Sequence, residues 1–341
     1  MPFFSRLWMC FYFSGKTRKR VLLTILTMEK WIETTPGVNP FVSASTDPVA
    51  AEGKDFEYAT CENSFTMKRC IETGVLYLDP RPADHLLSTI YPPEYLPYRF
   101  DTLPVPVRHA RDWVQSAKVS AIREVVPHNA RILDIGCGSG GLLRLMKRRG
   151  PKTWTLHGHD FNAAVVEPLE AQGIRPHHGP LETMDAGTFD CIILNQVIEH
   201  VADVRAFLRS IHRLLATDGS VFIETPNFDS VDAKLFSRRY WGGYHFPRHW
   251  TLFNATLLQR LLVEEGFAPR PVRYLASPSF WVQSVHHLLL DKKLPWAARL
   301  FQGSNMLAMA LFTLIDLALI TAGRRTSNMR IVARKQTKAQ T

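Results

Sequence analysis

From about residue 131 onward the apolar positions follow two alternating rhythms. Short apolar runs near 131–135, 154–159, 174–178, 190–195, 219–225, 270–275 and 329–335 have strand length, and stretches of helical spacing lie between most of them. One such stretch opens at Leu142 to Met146, another covers about 202–215, and a helix near 105–126 precedes the first run. Strand and helix in turn predict an α/β fold, a mainly parallel sheet covered on both faces. Ahead of it, residues 29–60 are low in periodicity and rich in Thr, Pro and Ala, which predicts a loose lead-in. The aromatic stretch from Tyr91 to Tyr98 reads equally as a lid over a pocket or as an arm pinned to the surface.

Between the last two runs, about 277–327, the chain is strongly apolar in two places, 279–290 and 306–322. The second has 17 residues, about 25 Å as a helix, which is short for crossing a bilayer. Asp316 in its middle raises the cost further. A single crossing would also strand the final run on the wrong side of the membrane. A re-entrant hairpin, a helix lying in the interface and a helix packed on the protein stay open.

The first run leads into Arg131-Ile-Leu-Asp-Ile-Gly-Cys-Gly-Ser-Gly-Gly141. Glycines at 136, 138 and 140 allow a tight turn and close approach of backbone to ligand, with a helix opening behind them. Gly136, Gly138 and Gly141 also satisfy the dinucleotide spacing, so the loop alone leaves NAD and other adenosine cofactors open. The second run ends in Asp160, 26 residues beyond Asp134, where an acid can accept both ribose hydroxyls. A further run, Phe189-Asp-Cys-Ile-Ile-Leu194, enters Asn195-Gln-Val-Ile-Glu-His-Val201.

That ordered set resembles the class I S-adenosylmethionine-dependent methyltransferases. Gly219-Ser-Val-Phe-Ile-Glu-Thr-Pro-Asn227, Tyr240-Trp-Gly-Gly-Tyr-His-Phe-Pro-Arg-His249, Leu252 to Leu258 and Glu264-Glu-Gly-Phe267 are similar to their ubiquinone-O-methyltransferase-like branch. The resemblance covers about 61–335. It implies a Rossmann-like sheet of seven strands with an antiparallel last strand, an N-terminal extension, and an apolar helical insertion between strands six and seven. The expected division is 1–60 without regular structure, 61–100 as a knuckle-like arm and lid, 101–276 as the cofactor domain, 277–327 as the insertion, and 328–341 as the last strand and a basic tail.

The resemblance also implies site roles. Asp134 organises the glycine turn, and the backbone of Gly136, Cys137, Gly138 and Gly140 passes beneath the methionine portion of the cofactor. Asp160 binds ribose with Phe161 beside adenine, Leu181 is an adenine-side candidate, and Asn195 with Gln196 lines the sulfonium. An oxygen acceptor has to lose a proton, and imidazoles suit that task near neutral pH, so His249, His200 and His245 are the candidate bases. Relatives of the branch carry a Cys-x-x-Cys pair of knuckles. Here Ser64 and Thr73 replace the second cysteine of each, leaving Cys61 and Cys70, too few thiolates for a closed zinc site. Gln196 stands where a metal-binding acid occurs in ubiquinone-type relatives. No metal is expected.

The net charge of +10 would invite a nucleic-acid partner, but residues 1–30 hold six basic side chains against one acidic, and 322–341 six against none. The body is therefore near neutral and carries no basic stripe for a phosphate backbone. Basic ends beside apolar segments suit an anionic membrane surface or solvated tails. An odd five cysteines suggest reduced thiols, hence a cytoplasmic protein, with peripheral contact to the inner membrane face through 280–322. Residues 1–27 do not have the order of a secretory signal, and are expected either to touch a membrane or to precede a true start at Met28. The leading reading is methyl transfer from S-adenosylmethionine to a small-molecule, sugar or lipid-linked acceptor at oxygen, the insertion steering the mouth toward a hydrophobic acceptor. An NAD-type oxidoreductase and a non-catalytic, membrane-associated binding module are the alternatives.

Overall fold

The computed structural model describes residues 31–42, 46–98 and 105–336; the expectations for 1–30 and for the end of the basic tail lie outside the described residues. Strands β1 (Thr34–Thr35), β2 (Val49–Gly53), β3 (Phe65–Arg69), β4 (Leu76–Leu78) and β5 (Arg81–Pro82) precede helix α1 (Val105–Arg123). Then come β6 (Arg131–Ile135), α2 (Gly141–Arg149), β7 (Thr155–His159), β8 (Arg175–His177), β9 (Phe189–Asn195), α3 (Val204–Leu214) and β10 (Leu215–Pro226). The chain continues through β11 (Thr251–Leu252), α4 (Ala255–Glu264), β12 (Phe267–Pro269), β13 (Arg273–Leu275), α5 (Pro278–Asp291), α6 (Met306–Thr321) and β14 (Asn328–Lys335).

The central sheet runs β12-β14-β10-β9-β6-β7-β8. β6 to β10 are parallel and β14 is antiparallel to β10, as expected. The sixth position differs from the single run near 270–275. Two short strands occupy it, because the stretch from Pro269 to Arg273 faces the shorter stretch from Ala333 to Arg330 and so carries one residue too many. Pro271, which has no N–H for the ladder, lies in that bulge.

Period-two alternation assigns the sheet's faces. Ile132, Cys191, Ile193 and Phe222 pack with Val119 and Ile122 of α1 and with α2. Leu133, Ile135, Ile192, Leu194, Val221 and Ile331 pack with α3 and α4. Both faces are thus apolar until the carboxyl end, where the first turns polar with Asp134, Asn195, Glu224 and Arg330.

The lead-in is not loose. β2 is the edge of a second, antiparallel sheet, β11-β4-β3-β2, which joins residues 49–78 to Thr251–Leu252. Its strands are too short and mixed to show as alternation. Cys61 packs with Phe65 and Met67, whereas Cys70 joins Val75 in the main core, so the two thiols sit in different clusters.

One ion pair fastens this extension to the body. Arg248 and Asp55 both have side chains 0% exposed, and two guanidinium N–H groups reach Asp55 Oδ1 and Oδ2 at 3.0 and 2.9 Å. Asp55 Oδ2 also accepts from the Thr60 hydroxyl at 2.6 Å, Arg248 Nε donates to the Ile90 carbonyl at 2.7 Å, and the guanidinium lies 4.5 Å over the Tyr58 ring. Burial alone would raise Asp55, but the Arg248 guanidinium holds its carboxyl well below the usual range.

In the insertion, α6 lies against α5, with Ala308 and Phe312 packed on Trp281 and Val282. Trp281 and Phe312 stack at 5.5 Å and 7°. Asp316, buried in the middle of the apolar run, is the joint: it accepts from the Trp281 indole at 2.9 Å and from the Ser277 amide at 2.7 Å. Among the described residues no helix is long and apolar enough to cross a membrane.

Replacing Asp55 with Ala leaves Arg248 buried without a counter-charge. We expect this to destabilise the chain by about 3–5 kcal/mol in chemical denaturation, well above the effect of an exposed pair such as Arg131 with Asp190.

Candidate active site

The carboxyl ends of β6, β7 and β9 bring the predicted cofactor residues to one edge. Positive φ at Gly136 (67°) and Gly138 (51°) makes the turn. A Cβ at Gly136 would come within 2.7 Å of Val197, and one at Gly138 within 2.8 Å of the Pro97 carbonyl oxygen. The Pro97 carbonyl of the 91–98 segment therefore lies over Gly138 of the glycine loop. Cys137 packs its Sγ toward Gly158. Burial, then Asp134 and Asp160, push its thiol far above the ordinary range, which suits a filler.

Asp134 is buried, and its Oδ1 has no hydrogen-bond partner. Burial raises its carboxyl to about 7, with Lys118 pulling the other way. Asp160 accepts from the Gly138 amide at 3.0 Å and from the Asn162 amide at 3.0 Å, so it braces the loop as well as ending β7. Phe161 beside it is 51% exposed, an open aromatic face next to the acid. Leu181 differs from the other candidates in that its side chain is packed in the core with Ile135 and Ile198. Asn195 accepts from the Lys118 ammonium, which also meets Glu224 at 2.7 Å, and Arg330 closes the row from the far side of Glu224 at 2.6 Å. Gln196 takes a left-handed φ of 57° and turns its amide to Asn328 at 3.1 Å. Lys118 and Glu224 escaped sequence reasoning; a lysine on the buried stripe of α1 was the available signal.

The three predicted histidines come from separate stretches and converge. Ring centroids lie 4.6 Å apart for His200 and His249, 4.9 Å for His245 and His249, and 6.3 Å for His200 and His245. His249 donates from Nδ1 to the Gly243 carbonyl at 2.7 Å, so its Nε2 carries the lone pair, 4.0 Å from Glu199. His200 Nδ1 meets the Tyr91 hydroxyl at 2.8 Å and the Arg248 carbonyl at 2.9 Å. Burial, then the neighbouring imidazoles, hold His249 far below its ordinary value and His200 down to about 3. His245, at φ 39°, sets its Nδ1 2.6 Å from Glu57. Burial would raise Glu57, but His245, His287 and Arg248 hold its carboxyl below the usual range. Glu57 was invisible in the sequence because it lies in the stretch read as a loose lead-in.

Glu199 is fully buried, with Oε2 accepting from the Thr225 hydroxyl at 2.9 Å and Oε1 unpartnered. Burial raises it to about 8. Among the described residues Glu199, His200 and His249 bring donor atoms within 4.8 Å of one another, a set that a cation would fit only with Glu199 ionised.

Residues 108–272 match the family model for a methyltransferase domain. The ubiquinone biosynthesis O-methyltransferase of Xanthomonas axonopodis pv. citri (strain 306) is 31% identical over 129 residues, covering 35% of this chain and 52% of that protein. The protein of the same name from Caulobacter sp. (strain K31) is 36% identical over 103 residues, covering 28% and 41%. The chain spans about half the length of the curated relatives it matches. The solved 1,6-didemethyltoxoflavin-N1-methyltransferase of Burkholderia thailandensis aligns at 17% identity and TM-score 0.47, over 80% of this chain and 96% of that one. Residues 108–272 form a methyltransferase domain of the class I S-adenosylmethionine-dependent type. The residues fit that class's cofactor: an orphaned buried carboxyl at Asp134, a loop with left-handed glycines, and an acid beside an open aromatic ring follow one another along one edge.

The two raised carboxyls set a pH dependence. Asp134 and Glu199 ionise near 3.8 and 4.5 when unfolded but near 7 and 8 when folded, so between about pH 4 and 8 the folded chain binds more protons. Stability contributed by these groups is therefore present at low pH and falls as pH rises through that window. Thermal unfolding of Glu199→Gln is expected to decline less between pH 5 and 8 than wild type; an unchanged slope would count against a protonated Glu199.

Proposed function

We propose that the chain moves a methyl group from S-adenosylmethionine to an oxygen of a small-molecule or lipid-linked acceptor, with His245 as general base. The observation carrying this reading is the Glu57–His245 contact at 2.6 Å inside the histidine cluster. S-adenosylmethionine, when bound, supplies an electrophilic methyl on a sulfonium. What the protein adds is alignment and removal of one proton.

Asp134 and the loop of Gly136, Cys137, Gly138 and Gly140 take the amino-acid end, Asp160 the ribose, Phe161 the adenine side, and Asn195 with Gln196 the reacting end. The Leu181 side chain, held in the core, is left out of this assignment. Glu57, ionised, accepts a hydrogen bond from Nδ1–H of His245 and so leaves the Nε2 lone pair of that ring for an acceptor hydroxyl. His200 and His249, held neutral by burial, flank that proton's path, and Tyr91 ties His200 to the segment over the loop. No step is assigned to a metal, and activity is expected to survive dialysis against a chelator. The curated relatives' names, ubiquinone biosynthesis O-methyltransferase, support oxygen as the acceptor atom and an apolar, quinone-like or lipid-linked body. The same reading puts the protein on the cytoplasmic side, peripheral to the membrane.

Calorimetric titration is the first check. S-adenosylhomocysteine should bind at micromolar concentration, at least tenfold more weakly to Asp160→Ala, while NAD should not bind; NAD binding alone would overturn the assignment. Given a turnover assay, His245→Asn should lower kcat by about 10²-fold or more with cofactor binding retained. An unaltered kcat would move the base to His249.

A further inference from the structure

α6 is apolar on all sides, yet only one side is covered. Ala308, Phe312 and Asp316 are buried against α5, whereas Leu307, Leu311, Leu314 and Leu317 are 83, 54, 66 and 48% exposed. With Ala310 and Ala318, also exposed, they recur at intervals of three and four and form one continuous aliphatic stripe from 307 to 318 of α6, about 18 Å long. Trp296 and Leu300, in the turn before α6, are 70 and 55% exposed. Aliphatic surface this continuous is unusual on a face that meets only water.

Charge distinguishes what covers it. From 292 to 325 the chain holds five exposed cations, Lys292, Lys293, Arg299, Arg324 and Arg325, of which Arg325 is paired with Asp229, and a single acid, Asp316, which is buried. The cations flank the stripe at both ends. A second copy packed on this face, parallel or antiparallel, would set basic end against basic end. The stripe offers a partner no hydrogen-bonding group along its length until Thr321, so little would fix a protein's register. An anionic bilayer meets both conditions: the leucines enter the acyl boundary and the cations reach the headgroups, with Trp296 at the level between them.

We infer that the outer face of α6, with Trp296 and its basic ends, docks the protein flat on an anionic lipid bilayer. This deepens the reading above by supplying the acceptor's source, since α5 lies between α6 and the histidine loop. Ser284 of α5 accepts from the Gly242 amide at 2.8 Å and Gln283 donates to Glu57 at 3.2 Å. The docked helix is thus one helical layer from His245.

The test is sedimentation of the full chain with vesicles of phosphatidylcholine alone and of phosphatidylcholine with 30% phosphatidylglycerol. Residues 1–30 carry their own apolar and basic positions, so the effect must follow the face itself. Wild type should pellet with the anionic vesicles and lose binding in high salt. Leu311→Glu/Leu314→Glu, exposed positions whose folding is checked by circular dichroism, should weaken binding at least tenfold. Lys292→Glu/Lys293→Glu should weaken it about fivefold or more per charge. Unchanged binding of the leucine variant would overturn the proposal. So would a wild-type dimer in sedimentation velocity that the leucine changes dissolve, without vesicle binding. S-adenosylhomocysteine titration of the same samples without vesicles reports separately on the methyltransferase reading.

Discussion

Arg248 has no access to water, and Asp55 with no access of its own neutralises it. Each would be costly to bury alone, so neither the 46–98 segment nor the 240–250 loop can take its position without the other. The loop fixed by this pair carries His245 and His249. The segment fixed by it carries Glu57, and through Ile90 and Tyr58 it leads on to the 91–98 stretch, whose Pro97 carbonyl lies over Gly138. Cofactor edge, histidine cluster and N-terminal sheet therefore share one electrostatic fastening, made in the interior where salt screens little.

A second constraint is the number of carboxyls at the carboxyl end of the sheet. Glu224 is balanced by Lys118 and Arg330, and its carboxyl lies below the ordinary range despite burial, whereas Asp134 and Glu199 have no cation in contact and are raised. Unbalanced acids in a folded interior lower stability as pH rises, so their retention at this edge fits the use of the edge for binding rather than for folding. Such a partition between a satisfied triad and unsatisfied acids separates scaffold from site without reference to any ligand.

The insertion illustrates how a polar residue in an apolar helix acts. Asp316 counts against a bilayer span in sequence, and in the fold it is the anchor that holds α6 on α5 through Trp281 and Ser277. By fixing which side of α6 faces inward, it also fixes which side faces out. The helix packed on the protein is one of the three arrangements the sequence left open, and its outward leucine face is the surface proposed above to meet lipid.

The parallel sheet was legible because its strands are buried on both faces and stand out as apolar runs. The places of Asp134, Asp160 and the glycine turn were legible through local motifs, and the last strand's direction was implied by the family resemblance. The histidines were legible as candidates only. That His200, His245 and His249 meet, and that Glu57 turns one of them into a carboxylate-backed imidazole, depends on contacts across as many as 188 residues, and no local pattern encodes them. Strands of two to five residues in the second sheet fell below what alternation can reveal, and Leu181 went to the core because packing, not adjacency to a motif, decided its direction. The sequence by itself determined the class of fold and the edge where a cofactor belongs, since those rest on periodicity and short-range turn chemistry. The tertiary structure alone decided which charges are paired, which histidine has a carboxylate behind it and which face of α6 is left uncovered, since each depends on what a distant segment brings into contact.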